Sequence, residues 1–110
     1  MKIQGTSISM TRGDSESITV RITQGEGLAA GDRIDFTVRA SAEEPIELQK
    51  TVTEFPDGDA VIVLRPEDTE GMEFGSFVYD IQLTRADGTV QTIIKPSKFK
   101  LEQEVTYNGG

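Results

Sequence analysis

The chain contains no cysteine, no histidine and no tryptophan, and its aromatic content is five Phe and two Tyr in 110 residues. Without Cys there are no disulfides, no thiolate zinc sites and no cysteine nucleophile. Without His the usual general base and the commonest metal ligand near neutral pH are missing. No stretch reaches the roughly 20 apolar residues that span a bilayer as a helix. The start, Met1-Lys2-Ile3-Gln4-Gly5-Thr6-Ser7, has no apolar run after its lysine, so no signal peptide is expected. These absences point to a soluble chain made in the cytoplasm, with no membrane partner and no resident cofactor. A length of roughly 100–150 residues is the commonest for one domain. We therefore expect a single domain over residues 1–106 and a flexible tail over 107–110.

What is present is acid. Eleven Lys and Arg stand against 19 Asp and Glu, a formal net charge of −8. Such a field repels phosphate backbones and argues against nucleic acid. The excess is local. Residues 43–73 hold Glu43, Glu44, Glu47, Glu54, Asp57, Asp59, Glu67, Asp68, Glu70 and Glu73, opposed only by Lys50 and Arg65. The C-terminal part is locally basic through Lys95, Lys98 and Lys100. A homo-oligomer in which those lysines face the acidic middle of another copy is one expectation.

Apolar and polar residues alternate with period two. Ile18, Val20 and Ile22 share one face, and Ile34, Phe36 and Val38 share one face of the next strand. In 46–52 the row is broken by Lys50, as on an edge strand that carries an inward lysine against aggregation. Ala60-Val61-Ile62-Val63-Leu64 is continuously apolar and reads as a strand with its second face partly covered. Phe77, Tyr79, Ile81 and Leu83 make the strongest row. Ala86-Asp87-Gly88-Thr89 is a hairpin turn, and Val90 to Ile94 returns as the partner strand. Phe99, Leu101 and Val105 close the series, with Pro96 marking a bulge or edge. Pro66-Glu67-Asp68-Thr69-Glu70 has proline and acids where a helical turn begins. The pattern predicts an all-β, immunoglobulin-like antiparallel β-sandwich of about seven to eight strands, with one short helical turn near 66–70.

The order Arg12-Gly13-Asp14-Ser15, Ile34-Asp35-Phe36-Thr37-Val38-Arg39, Val63-Leu64-Arg65-Pro66-Glu67-Asp68-Thr69, then Gly75-Ser76-Phe77-Val78-Tyr79-Asp80-Ile81-Gln82-Leu83 and Asp87-Gly88 resembles a family of bacteriophage tail and baseplate domains. The likeness, from Met10 to about Val105, is to the immunoglobulin-like N-terminal domain of baseplate upper proteins from phages and prophages of Gram-positive bacteria. It implies a non-enzymatic virion structural protein, made in the host bacterial cytoplasm, that docks other tail or baseplate proteins. The alternative from the residues themselves is a bacterial Ig-like module recognising a glycan or a surface protein, with Phe55 and Phe74 as loop aromatics.

The candidate sites are accordingly contacts rather than chemistry. Met72 and Phe74, in a loop between Gly71 and Gly75, and Lys95, Lys98 and Lys100 are the candidate protein-contact residues. Asp68 and Tyr79 are expected to fix a structural corner of the sandwich. Arg12-Gly13-Asp14-Ser15 spells an integrin-type tetrapeptide but reads as a turn. Asp57-Gly58-Asp59 and Glu67-Asp68-Thr69-Glu70 supply carboxylates for a cation or a glycosidase pair, yet lack the spacing of a calcium loop and an aromatic-lined cleft. No catalytic and no metal residue is assigned.

Overall fold

The computed structural model describes residues 1–103 except Gln24 and Glu26. The expected domain end at 106, Val105 and the 107–110 tail lie outside these residues. Among the described residues are eight strands and one helix: β1 (Lys2–Gln4), β2 (Ser7–Thr11), β3 (Glu16–Val20), β4 (Arg33–Arg39), β5 (Ile46–Val52), β6 (Ala60–Leu64), α1 (Pro66–Glu70), β7 (Gly75–Thr84) and β8 (Val90–Glu102). A six-stranded sheet in the order β1-β2-β8-β7-β4-β5 packs against a two-stranded sheet of β3 and β6. The fold is an all-β sandwich, as expected, with one correction. β2 joins β8 in parallel, so the large sheet is mixed rather than antiparallel. Most of the chain separates these two strands, so no tight turn forces them to oppose. The short N-terminal strand β1 was not legible in the sequence, because three residues cannot show a period.

The alternating rows fill the space between the sheets. Ile34, Phe36 and Val38 of β4 are fully buried, and Phe77, Tyr79, Ile81 and Leu83 of β7 lie beneath the same core. Phe36 touches Tyr79 (centroids 5.4 Å apart) and Phe99 (6.0 Å, edge to face), and Tyr79 and Phe99 close the triangle at 6.3 Å. The apolar run of β6 is one-faced. Ala60, Ile62 and Leu64 are buried, while Val61 and Val63 are each 46% exposed. The expected cover on its second face is missing because the small sheet is the outermost layer on that side. Ile22 lies beyond the end of β3.

Several local expectations hold. β5 is the edge of the large sheet, and its half-buried Lys50 turns inward to Asp68 at 2.7 Å. Gly88 takes φ +91°, and Thr89 N–H donates to the Asp87 carboxylate at 2.9 Å, closing the β7–β8 hairpin. Pro96 falls within β8 where the register against β7 slips between Tyr79 and Ile81, a bulge that needs no donor from the ring nitrogen. At 12–15 the chain turns, with Gly13 at φ +85° and Asp14 N–H on the Thr11 carbonyl.

Candidate docking surface

Residues directly opposite one another across paired strands share a face of the sheet. Lys2 pairs with Ser9, Ser9 with Lys100, and Lys100 with Ser76. In the next row outward, Lys98 pairs with Val78 and Val78 with Arg39. These positions alternate with buried Phe99, Leu101, Phe77 and Val38, so both rows point away from the core. The outer face of the large sheet thus carries Lys2, Arg39, Lys98 and Lys100 together, with Asp80 two residues along from Val78, Glu102 two along from Lys100, and the Arg33–Asp35 ion pair further along β4. Adjacent strands are about 4.8 Å apart, so the four cations span a few strand widths. None of them forms an ion pair with a described residue. Elsewhere three cations are held by carboxylates: Arg21 by Asp59 at 2.9 Å, Lys50 by Asp68, and Arg85 by Asp32 at 2.8 Å.

Of the five residues read as contacts, Lys98 and Lys100 meet on this face, and Lys95 sits beside it at the bulge, exposed. Met72 does not serve: it is 6% exposed and caps the end of the core, where its carbonyl accepts Arg12 at 3.0 Å. Phe74 is 53% exposed, with the Arg12 guanidinium 5.5 Å above its ring. Arg12 is therefore engaged at the sandwich end, which is the turn reading of 12–15 rather than the integrin one. Lys2 and Arg39 were missed. Their signal is the pairing register, which brings together residues 37 positions apart or more and has no trace in local spacing.

Asp68 and Tyr79 are both structural but do not make one corner. Asp68 accepts from Arg65 N–H and from Lys50, each at 2.7 Å, tying α1 to the edge strand. Burial opposes its charge, and these donors still hold its carboxyl below the usual range. Tyr79 donates to the Thr6 carbonyl and pins β7 to the β1–β2 turn, and burial pushes its phenol up. The two carboxylate motifs sit at opposite ends of β6, separated by roughly 15 Å of strand. No group of three or more Asp and Glu that could hold a metal ion comes together among the described residues.

Asp32 was also missed in the sequence. It is 4% exposed and accepts from Ala29 N–H at 3.0 Å, the Arg85 guanidinium at 2.8 Å and Ala86 N–H at 3.2 Å. The Ala29 bond, then Arg85 and Ala86, hold its carboxyl below the ordinary carboxylate range against desolvation. A depressed folded value means that the stabilisation is present above the unfolded value of about 3.9 and is lost as pH falls through the lower folded one. Asp32→Asn is expected to lower the melting temperature at pH 7 and to flatten its decline below about pH 4. Thermal melts from pH 7 to 3 check this; parallel curves for the two proteins would assign the acid response to other carboxylates.

The fold and this face define a β-sandwich with a polar, cation-bearing sheet surface. Its structure is similar to that of CopC from Methylosinus trichosporium OB3b, with a TM-score of 0.54, 13% sequence identity, and coverage of 92% of this chain and 89% of that one. At that identity the likeness speaks for the fold alone. No protein-family model matches the chain, and no curated protein matches it in sequence. The expected kinship with phage baseplate proteins, and with it the virion structural role, is therefore overturned: the structural likeness leads to CopC and no phage family is matched. The motifs that suggested it are turns at Gly13 and Asp87-Gly88, the short helix opened by Pro66, and the alternating rows of β4 and β7, which meet local needs common to β-sandwiches. No helix among the described residues is long and apolar enough to cross a membrane.

Proposed function

We propose that this protein is a non-catalytic β-sandwich docking module whose outer sheet face engages an acidic protein surface. The observation that carries the reading is the set of four cations, Lys2, Arg39, Lys98 and Lys100, that form no ion pair with a described residue and lie on one face of a chain with net charge −8. Complementary potentials steer encounter and fix orientation, and none of these cations is closed into an ion pair with the described carboxylates on the same face, Asp80 and Glu102. The glycan reading has less support. Phe55 is half-buried against the core and Phe74 is exposed beside α1, so the two loop aromatics build no common platform for a sugar. A protein of charge −8 should pass through a cation exchanger at pH 7 if its surface behaves as an average. The docking reading expects retention at low salt, capture on immobilised poly-L-glutamate, and loss of both in the Lys98→Glu/Lys100→Glu variant. Flow-through on both matrices of the unmodified protein, loaded dilute enough to be monomeric, overturns it.

A further inference from the structure

An acidic surface lies beside this face on the same chain. The β4–β5 loop at 41–45 exposes Glu43 and Glu44, neither in an ion pair with a described residue. It adjoins the cationic rows directly, since Arg39 donates to the Glu44 carbonyl at 2.8 Å. A positive patch beside a negative patch on one surface is self-complementary under a two-fold axis, which lays each patch on its opposite in the partner. The large sheet has six strands about 4.8 Å apart, and β8 runs 13 residues at about 3.3 Å each, so its outer face extends over about 25 Å by 40 Å. That broad face exceeds the roughly 800 Å² per partner that a stable interface uses. We infer that the docking partner is a second copy of this chain, joined through an isologous pairing of Lys98 and Lys100 with Glu43 and Glu44. This rests on the docking reading above and names its partner.

Two copies of charge −8 also repel, and the ranges of the two forces separate them. Contact pairs act over about 4 Å, whereas the molecular centres stay at least a thickness of 23 Å apart. The Debye length is about 8 Å at 0.15 M ionic strength, about 30 Å at 0.01 M and about 3 Å at 1 M. Association should therefore peak near 0.15 M. Repulsion grows below that, and the contact pairs are screened above it.

Sedimentation velocity of the full chain across this salt series is the test, with two charge-reversed variants. Lys98→Glu/Lys100→Glu and Glu43→Lys/Glu44→Lys each set like charges against like in a homodimer, so each alone is expected to associate at least tenfold more weakly. Mixed together they restore both contacts and should form a heterodimer of unmodified strength. The inference is overturned by a wild type that stays monomeric at every salt, by single variants that dimerise normally, or by a mixture that does not pair. A monomer that is nevertheless retained on the cation exchanger and on poly-L-glutamate removes the second copy and leaves the docking reading standing. A monomer that flows through removes both.

Discussion

Replacing Phe36 by alanine is expected to lower the unfolding free energy by about 3–5 kcal/mol. Phe36 is fully buried and sits between Tyr79 and Phe99 at centroid distances of 5.4 and 6.0 Å. Truncation removes the buried ring and leaves a cavity whose walls belong to three strands, β4, β7 and β8, each fixed by its own ladder. Such walls collapse poorly, which places the effect at the upper part of the range for large-to-small changes. A domain of this size has a total stability of only about 5–15 kcal/mol, so the variant should be near its unfolding threshold at 37 °C. Urea denaturation measures the difference. Phe36→Leu, which keeps most of the volume, should lose much less. A loss below about 1 kcal/mol for the alanine variant would show that the aromatic triangle is not the centre of the core.

Thr69→Val should lower stability by about 1 kcal/mol, the low end of the cost of stranding a buried donor, since the Gly13 N–H is half-buried. Thr69 is fully buried in α1, and its hydroxyl oxygen accepts the Gly13 N–H at 2.8 Å. Valine has nearly the same shape, so packing is preserved and the unsatisfied Gly13 N–H dominates the change. Thr69→Ser keeps the acceptor and loses one buried methyl, worth about 0.8 kcal/mol. The contrast between the two variants separates the hydrogen bond from packing. The same bond locates the 12–15 turn against α1, where Arg12 lies over Phe74. A valine variant as stable as wild type would mean that water or a shifted backbone satisfies Gly13.

The strand rows were legible because side chains alternate strictly along a strand, so Ile34, Phe36 and Val38, or Phe77 to Leu83, declare their buried face without tertiary information. The helical turn at 66–70 and the hairpin at Asp87-Gly88 were legible for a similar reason. Each depends on a local backbone requirement that proline, acids or glycine meet. Lys50 was also readable, since a charge interrupting an apolar row has few solutions other than an edge. The openness of Val61 and Val63 was not readable. A continuous apolar run is the same string whether its second face is covered or bare, and only the width of the small sheet decides. Met72 failed for the complementary reason: a loop residue between glycines turns in or out according to what lies under it.

The candidate surface divides in the same way. Lys98 and Lys100 alternate with Phe99 and Leu101, so the sequence alone placed them on a solvent face. It could not add Lys2 and Arg39, nor decide that Arg85 is spent on Asp32, because those relations come from strand order and register between distant segments. What the sequence by itself determined is a cysteine- and histidine-free, all-β chain whose acid lies in residues 43–73. Composition and period-two alternation are properties of neighbouring residues, and they suffice for that. Only the tertiary structure decided that Lys2, Arg39, Lys98 and Lys100 share one sheet face with the Glu43–Glu44 loop beside it. The net charge of −8 is a sum without positions, and the pairing of β1, β2, β8, β7 and β4 supplies the positions.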